Sequence, residues 1–462
     1  MLLRCIYRLT VAIVVIITVT RCGSTGKTVN GHLRPGELPD TLRVATLYSP
    51  TSYFIYREEP MGVDYTLATR LADDKKMAIR IVTASSMASM IEMLDSGLVD
   101  LAAYPIPVTG EYRGKVIPCG PRSETYQVLV QPRRSHSALI TDVTGLPGHD
   151  VYVEKESKYY YRMLNLNDEL GGGISIHPID RDTLIGEDLI EMVSDGTIPL
   201  TVIDSDIARL NRTYYPSLDV SLPLSFAQRH AWGVSIHYPW LADSIDAWMS
   251  QERPRDARDR LLRRYFELAK EAPANPPVDL TKGRISPYDR LFREAAATID
   301  YDWRLLAAQG FIESHFDSTR VSWAGAKGIM QIMPSTARAY RQDPDSMAIP
   351  RHSIHTATLI IRDLEKSLSR LVADKEERTK FILGAYNSGL AHVYDAIALA
   401  GKLGYNPQVW DNNVAECLLL KANPEYYNDP VCRYGYFRGR QTTTYVDQVT
   451  AFYTRCKQYI AP

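Results

Sequence analysis

The most informative stretch of the sequence reads GFIESHFDSTRVSWAGAKGIMQIMP, residues 310–334. The apolar residues before Glu313 predict a helix that this glutamate closes. A carboxyl group beside apolar neighbours in a cleft resists ionisation, because desolvation disfavours the charged form, and such a group can act as a general acid. Gly325 and Gly328 let the backbone approach a bulky substrate closely. Taken alone, Glu313 is better explained as an exposed carboxylate at a helix end, with the glycines only making a turn.

Helical spacing of apolar residues extends to both sides of this stretch. Such spacing is found over residues 288–297, 303–313, 335–341, 355–371 and 380–388. The region 288–462 is therefore predicted to be a mainly α-helical domain.

A different pattern precedes residue 271. Apolar and β-branched runs at 42–46, 79–83 and 99–104 alternate with segments of helical spacing at 65–71 and 87–94. This alternation builds a parallel sheet covered by helices, so residues 41–270 are predicted to form an α/β domain. Prolines and polar residues over 271–287 forbid a continuous helix and indicate the linker between the two domains.

The whole chain has 462 residues, more than one hydrophobic core usually supports, so two or more domains are expected. Hydrophobic residues make up 45% and charged residues 23%, which is typical of soluble globular proteins and gives no signal for a polytopic membrane protein. The formal net charge of -1 argues against nucleic acid as the main partner, because that partner usually demands a basic field. A neutral or mixed substrate fits better.

The N-terminus is typical of an export signal. Two arginines precede an apolar run over residues 9–19 that is too short to span a bilayer comfortably. Cys22 and the small polar residues after it resemble bacterial lipoproteins, in which the cysteine becomes the acylated N-terminus. Arg21 stands where a small residue is usual, so an uncleaved anchor is the alternative. We expect a signal peptide over 1–21, a tether over 22–40 and an outer-membrane lipoprotein of the cell envelope that faces the periplasm.

The remaining cysteines would lie in an oxidising compartment where disulfides persist. Cys417 and Cys432 flank a loop that a disulfide could close, which would stabilise the fold by about 2 to 4 kcal/mol. A zinc site is disfavoured, because no histidine lies at ligand spacing around these cysteines. We therefore expect no metal and no cofactor.

Three strings in the first domain resemble the type 2 periplasmic solute-binding domains, which capture amino acids and similar small ligands. They are the strand at 42–46, the helix entry at 62–65 and the string LDSGLVDL at 94–101. The resemblance implies two lobes, with the second lobe inserted in the first over about residues 135–224.

The same resemblance implies a ligand site for an amino acid or a muropeptide. Arg113 stands near the position of an arginine that holds the ligand carboxylate, for which a planar guanidinium fork is well suited. Asp204 stands near the position of an aspartate that holds the ammonium group. Two other interpretations stay open, namely Arg113 as a surface charge in a loop and Asp204 as a helix N-cap.

Four strings in the second domain together resemble the lytic transglycosylases with a goose-lysozyme-like domain. In order they are Glu313-Ser314, GIMQ at 328–331, AYN at 385–387 and Tyr445-Val446. The string YGYFRGR at 434–440 resembles one in a membrane-bound subfamily that also carries a solute-binding domain. Ile329 replaces the usual leucine and conserves its volume. The region before Tyr445 lacks a glutamate that is common in other members.

This resemblance implies cleavage of the β-1,4 bond between MurNAc and GlcNAc in peptidoglycan, with Glu313 as the single catalytic acid/base. Attack by the 6-hydroxyl of MurNAc would leave a 1,6-anhydro end without consuming water. Such an intramolecular attack benefits from effective molarities of about 10⁵ M or more. The residues implied to bind substrate or to contact Glu313 are Ser322, Gly328, Met330, Gln331, Tyr386, Asn387 and Tyr445.

Two other functions remain open at this point. Asp317 could be the second carboxylate of a hydrolytic muramidase of the lysozyme type, although an aspartate that leaves a helix more often makes a turn. The chain could also be a ligand-sensing, cell-wall-binding protein with a silent enzyme domain, but none of the four motifs is damaged. Tyr386 and Asn387 also fit a buried aromatic residue and a helix cap.

Overall fold

The computed structural model describes residues 36–108, 114–133, 139–155, 157–179, 186–267 and 278–461. The strands in these ranges are β1 (Thr41–Thr46), β2 (Phe54–Tyr56), β3 (Glu59–Met61), β4 (Ala78–Thr83), β5 (Leu101–Pro107), β6 (Val116–Thr125), β7 (Gln127–Pro132), β8 (Asp150–Glu154), β9 (Ser175–Ile179), β10 (Thr201–Asp204), β11 (Leu218–Asp219) and β12 (Gln228–Ser235). The helices of the first domain are α1 (Val63–Asp74), α2 (Met87–Asp95), α3 (Lys158–Glu169), α4 (Gly186–Asp195), α5 (Ser205–Arg212), α6 (Pro239–Met249) and α7 (Glu252–Phe266).

The helices of the second domain follow the linker. They are α8 (Asp289–Ala296), α9 (Trp303–Ser314), α10 (Pro334–Ala339), α11 (Pro350–Leu368), α12 (Lys375–Ser388), α13 (Leu390–Leu403), α14 (Ala415–Leu420), α15 (Pro424–Tyr427) and α16 (Gly439–Tyr459). Short 3-10 helices lie at Val143–Gly145, Leu280–Lys282 and Pro344–Ala348.

The first lobe is built on a five-stranded sheet in the order β4-β1-β5-β12-β6. β4, β1 and β5 are parallel, and β12 is antiparallel to both of its neighbours. Leu42 and Val44 of β1 are fully buried against α1, as alternation in a covered strand requires. The indole nitrogen of Trp232 on β12 donates to the buried carboxylate of Asp64 at 2.6 Å and fixes α1 on the sheet.

The second lobe is a separate five-stranded sheet in the order β11-β7-β10-β8-β9. Its first strand begins at Gln127, before the expected start of the insertion at about residue 135, because β7 pairs with β10 and not with the first sheet. The chain returns to the first sheet at Gln228. The expected two-lobed α/β architecture is confirmed.

The second domain is a helical assembly centred on α9. Ten of its twelve residues are buried, and it lies between α8 and α16. The carboxylate of Asp302 caps its first turn by accepting from the backbone nitrogen of Arg304 at 2.9 Å. Close packing requires glycine at position 310, where a Cβ would lie 2.9 Å from the ring of Phe292 and 3.2 Å from the sulfur of Met330. The expected mainly α-helical domain is confirmed.

A two-stranded hairpin, β2–β3, projects from the first lobe into the helical domain. Its two turn residues, Arg57 and Glu58, both have a left-handed backbone, with φ of 48° and 64°. Two-residue hairpin turns of this type favour Asn-Gly, so this turn lacks the usual sequence signal. Nothing in the sequence analysis predicted the hairpin. Non-glycine residues keep such a conformation only where the surrounding structure fixes it.

Several expectations concern segments outside the described residues. These are the signal peptide, most of the tether with the acylated Cys22, Arg113 and residues 271–277 of the linker. Among the helices that the structure does describe, none has the length and apolar character needed to cross a bilayer.

The predicted disulfide between Cys417 and Cys432 is not formed, and both are free thiols. Cys417 is buried on α14, whereas Cys432 is half-buried in the loop after α15. Burial raises the pKa of Cys417 to about 12 and that of Cys432 to about 11. Both therefore stay protonated, and a thiol oxidises through its thiolate.

Candidate active site

Glu313 lies in the last turn of α9, and its side chain is only 5% exposed. The next residue fixes the helix end, because the hydroxyl of Ser314 donates to the carbonyl of Ile329 at 2.8 Å. His315 then ends the helix in a left-handed conformation. The carboxyl group is therefore held at the junction between a buried helix and the loop that carries the GIMQ string.

The GIMQ loop is shaped by backbone geometry that its sequence dictates. Gly328 has a φ of 77°, and a Cβ there would lie 1.8 Å from the carbonyl oxygen of Met347, so only glycine fits. Gln331 uses its side-chain nitrogen inside the loop, where it donates to the carbonyls of Gly328 at 2.8 Å and Arg320 at 3.2 Å. This amide was expected to bind sugar, whereas in the structure it holds the loop.

The position of Met330 disagrees with its predicted role in binding the substrate. Its side chain is fully buried in the helical core and does not reach the cleft. Its carbonyl accepts the hydroxyl of Tyr386 at 2.8 Å. Met330 and Gly328 line neither of the two cavities beside Glu313. Met330 packs in the core, and Gly328 forms the turn of the loop.

Two tyrosines and an asparagine from α12 and α16 surround Glu313. Burial, and then the charge of Glu313, raise the pKa of both Tyr386 and Tyr445 well above the ordinary value, so both hydroxyls stay protonated. Thr442 donates to the side-chain oxygen of Asn387 at 2.8 Å, which orients that amide. Tyr445 thus offers a protonated hydroxyl on the cavity wall that Glu313 also lines, whereas the hydroxyl of Tyr386 donates to Met330.

The cleft at Glu313 consists of two cavities. The larger one, of about 380 Å³, is lined by Glu313 and by four of the predicted residues, Ser322, Gln331, Asn387 and Tyr445. The smaller one, of about 210 Å³, is lined by Gln331 and Tyr386. The structure thus brings five of the seven predicted substrate residues to the walls of the cleft.

Arg57, at the tip of the β2–β3 hairpin, separates the two cavities and lines both. Its guanidinium contacts both carboxylate oxygens of Glu313, at 3.1 and 3.2 Å. It also donates to the carbonyls of Gln331 at 2.6 Å and Asn387 at 3.2 Å. Because the guanidinium occupies both oxygens of the carboxylate, Glu313 is blocked in this conformation.

The rest of the hairpin is also held by the helical domain. The backbone nitrogen of Arg57 donates to the carbonyl of Ser388 at 3.3 Å, and the carboxylate of Glu58 accepts from the backbone nitrogen of Leu390 at 3.3 Å. Ser335 donates to the carboxylate of Glu59. The sequence signal for this element is weak: the apolar and aromatic run 53–56 is followed by three charged residues, Arg57, Glu58 and Glu59.

A buried polar cluster supports the base of the hairpin. Lys421 is fully buried and donates to the carboxylate of Asp395 and to Nδ1 of His392, the latter at 3.1 Å. Because Nδ1 accepts, the proton of neutral His392 lies on Nε2, which donates to the carbonyl of Ile55 at 3.0 Å. Burial, and then the charge of Lys421, lower the pKa of His392 well below its ordinary value.

Residues 433–440, which we call the bridging segment, join the helical domain to both lobes. Asp395 accepts from the backbone nitrogens at its start, and Gly435 packs directly against the ring of Tyr48 in the first lobe. Arg438 lies 4.5 Å from the ring of Tyr214 in the second lobe. Arg440 pairs with Glu191 of the same lobe at 2.8 Å. Because the bridging segment contacts both lobes, a movement of one lobe relative to the other would displace it or break some of these contacts.

The predicted ligand site is described only in part. The carboxylate of Asp204 pairs with Lys158 at 2.5 Å and is therefore neutralised in this conformation. Asp204 stands at the N-cap of α5, but its side chain makes no capping bond. In the described ranges, no group of three or more histidine, cysteine or acidic side chains could hold a metal ion.

Two family models match the chain. Residues 42–268 match the bacterial extracellular solute-binding proteins, family 3, and residues 290–409 match the transglycosylase SLT domain. Among solved structures, substrate-binding domain 2 of Lactococcus lactis GlnP covers 50% of this chain and 96% of its own, with 14% identity and a TM-score of 0.43. An ancestral cationic amino acid solute-binding protein covers 49% and 96%, with 20% identity and a TM-score of 0.42.

Relatives match this chain across both of its domains. A protein of Aeromonas hydrophila named membrane-bound lytic murein transglycosylase F is 30% identical over 98% of this chain and 88% of its own. Relatives of the same name from Aeromonas salmonicida and Desulfosudis oleivorans are 31% and 30% identical, and the chain covers 88% and 89% of them. The chain therefore belongs to the family of membrane-bound lytic murein transglycosylase F.

Proposed function

We propose that this protein is a peptidoglycan lytic transglycosylase, a lyase, and that Glu313 is its single catalytic acid/base. The observation that carries the proposal is one buried carboxylate on the wall of a cleft that Gln331, Asn387 and Tyr445 also line. Among the described residues, the only other acid on the wall of that cavity is Glu191, which belongs to the second lobe and pairs with Arg440. One carboxylate suits an intramolecular attack that needs no activated water.

A hydrolytic enzyme would need a second carboxylate about 5 to 9.5 Å from the first, and Asp317 is poorly suited to that role. Its carboxylate is exposed and accepts from the backbone nitrogen and hydroxyl of Thr319, at 2.8 and 2.7 Å. These bonds, before any other influence, lower the pKa of Asp317. Asp317 thus makes the turn that leaves α9.

The proposed reaction moves one proton out and one proton back. Glu313 gives its proton to the glycosidic oxygen as the bond from that oxygen to C1 of MurNAc breaks. The 6-hydroxyl of the same sugar then attacks C1, and the Glu313 carboxylate takes the hydroxyl proton. GlcNAc leaves with a free hydroxyl, MurNAc ends in a 1,6-anhydro ring, and no water is consumed. Oriented attack within one sugar supplies the rate advantage of proximity.

Mass analysis of digested peptidoglycan tests the reaction and the acid together. We expect 1,6-anhydro ends from the active protein, and a rate lower by about 10² to 10⁴ for Glu313→Gln, which keeps the shape but cannot donate the proton. Asp317→Asn is the matched control and should retain activity. Reducing ends would indicate a muramidase, and no product from any form of the protein would indicate a silent domain.

We further propose that the solute-binding domain regulates the enzyme through the hairpin. With Arg57 on Glu313 the cleft is divided and the acid is blocked, so turnover requires withdrawal of the hairpin. A small ligand, an amino acid or a muropeptide, would favour withdrawal if it binds the withdrawn state more tightly, since a ligand shifts an equilibrium only through such a difference.

The relatives are membrane-bound by name, and the protein is accordingly assigned to the cell envelope. We propose that acylation of Cys22 anchors it there, facing the periplasm in the outer membrane. Fractionation of Cys22→Ser tests this, since unchanged membrane partitioning would contradict acylation.

A further inference from the structure

The larger cavity beside Glu313 is rich in arginine. In the part of the chain that the structure describes, its walls include Arg57, Arg320, Arg438 and Arg440 but only two acids, Glu191 and Glu313. A cavity with this excess of positive charge attracts anionic groups of a ligand.

Three of these arginines are engaged by contacts between the domains. Arg57 pairs with Glu313 at 3.1 Å, and Arg440 pairs with Glu191 at 2.8 Å. Arg438 lies over the ring of Tyr214. In the conformation that blocks Glu313, these three guanidinium groups therefore already contact other groups of the protein.

Arg320 differs from the other three. Within the part of the chain that the structure describes, its guanidinium makes no hydrogen bond and no ion pair within 4.0 Å. Its backbone is nevertheless fixed, since its carbonyl accepts from the backbone nitrogen of Gly328 at 3.0 Å and from the side chain of Gln331 at 3.2 Å. A half-buried cation is thus held on the loop that also shapes the catalytic cleft.

The two sugars of the substrate differ in charge. MurNAc carries a lactyl ether that ends in a carboxylate in naked strands or continues into a stem peptide with carboxylates of its own, whereas GlcNAc carries no anion. A guanidinium binds a carboxylate through two parallel hydrogen bonds. We propose that Arg320 binds a carboxylate on the side chain of MurNAc and is a specificity-determining residue. This inference rests on the proposed transglycosylase function.

In this role, Arg320 would distinguish the sugars by their side chains and would place MurNAc, and not GlcNAc, beside Glu313. The guanidinium itself takes no part in proton transfer. Its loss should therefore weaken productive binding of the substrate and leave the chemical step intact.

The test uses the full chain with Arg320→Gln and Arg320→Lys, each also combined with Arg57→Ala so that the hairpin does not mask an effect. Arg370→Gln is the matched control, since Arg370 is an exposed arginine of the same domain outside both cavities. The substrates are naked glycan strands, strands with stem peptides, and naked strands whose lactyl carboxyl has been converted to a neutral methylamide.

We expect Arg320→Gln to raise KM about tenfold or more on at least one anionic substrate, with kcat within about twofold, and Arg320→Lys to recover part of the loss. An effect confined to naked strands would identify the lactyl carboxylate as the group that Arg320 binds. An effect confined to strands with stem peptides would identify a peptide carboxylate. If the lactyl carboxylate is the partner of Arg320, conversion to the methylamide should raise the KM of the unsubstituted protein by a similar factor. The same conversion should leave the KM of Arg320→Gln almost unchanged.

Equal kcat/KM for Arg320→Gln and the unsubstituted protein on both anionic substrates would overturn the inference, as would an equal loss in Arg370→Gln. A loss of kcat with unchanged KM would also overturn it. Failure of the proposed function is distinguishable, because in that case the unsubstituted protein and Arg57→Ala would release no anhydro ends from any substrate.

Discussion

At the scale of single residues, the proposed block rests on the ion pair between Arg57 and Glu313. Both side chains are buried, at 10% and 5% exposure, and the guanidinium also satisfies two carbonyls of the cleft. Buried pairs of this kind contribute little net stability, yet removal of one partner has a large effect on the other. Here, removal of Arg57 would leave Glu313 free to react.

We expect Arg57→Ala to raise the rate at which peptidoglycan is cleaved by about tenfold or more, because hydrogen bonds to charged groups contribute about 1.5 to 3 kcal/mol each and their loss frees the acid. Release of soluble anhydro-muropeptides from sacculi measures the rate. Arg70→Ala, which removes an exposed arginine from α1, is the matched control. An Arg57→Ala protein that is folded but no faster than its parent would contradict the blocking role.

The lowered pKa of His392 sets the sign of its contribution to the pH dependence of stability. Its pKa is lowered in the folded state, so between that value and the ordinary value of about 6.5 the unfolded chain binds more protons than the folded chain. The free energy of unfolding therefore rises with pH in this window and falls on acidification below about 6.5, by at most about 1.4 kcal/mol per pH unit from this group.

We expect His392→Gln, whose amide can still donate to Ile55, to lose this contribution. Urea unfolding at several pH values between 5 and 7.5 measures it as the difference between the two proteins. The unsubstituted protein should lose more stability than the variant as the pH falls. Parallel pH profiles would contradict a neutral, buried His392.

At the scale of elements, the bridging segment and the hairpin meet near the first lobe. Gly435 is the closest contact, since a Cβ there would lie 2.1 Å from the ring of Tyr48. We expect Gly435→Ala to separate this segment from the first lobe and to weaken the contacts that hold the hairpin in the helical domain. The cleavage rate should then rise, although neither Arg57 nor Glu313 is substituted.

Gly404 offers a matched control for this substitution. It has a left-handed backbone like Gly435, with φ of 84° against 62°, but a Cβ there would meet no atom within 4 Å. Gly404→Ala thus carries the same backbone cost, about 1 to 2 kcal/mol, without the clash. Equal rates for the two variants would mean that the contact with Tyr48 does not restrain the enzyme.

The sequence predicted the regular elements well because their signals are local. Apolar spacing predicted a helix over 303–313, and α9 covers Trp303–Ser314. The hairpin was missed because its turn, Arg57-Glu58, has no turn signature and is held by contacts with residues far away in sequence. Met330 was assigned to the substrate because a motif does not distinguish a wall residue from a core residue. Gln331 shows the same limit, since its amide is used within its own loop.

At the scale of the whole molecule, the helical domain contacts both lobes of the solute-binding domain. Gly435 lies on the first lobe, and Arg438 and Arg440 contact the second. A ligand that changes the angle between the lobes cannot leave all of these contacts intact. These connections support the proposed regulation through lobe movement.

We expect a ligand of the solute-binding domain to accelerate cleavage by the unsubstituted protein and to have little further effect on Arg57→Ala, in which the block is already absent. Candidate amino acids and soluble muropeptides are screened for binding by calorimetry and then for their effect on the cleavage rate. A ligand with confirmed binding that leaves the rate of the unsubstituted protein unchanged would contradict this regulation.

The proposed block also has a kinetic consequence, because the hairpin would act as an inhibitor covalently joined to its own target. An intramolecular competitor acts at an effective concentration that dilution of the protein does not change. The glycan strand must bind the small fraction of molecules whose cleft is open, so the apparent dissociation constant is the intrinsic one divided by that fraction. Activation should therefore appear mainly as a lower apparent KM, and dense substrate such as an intact wall should partly activate the enzyme by itself.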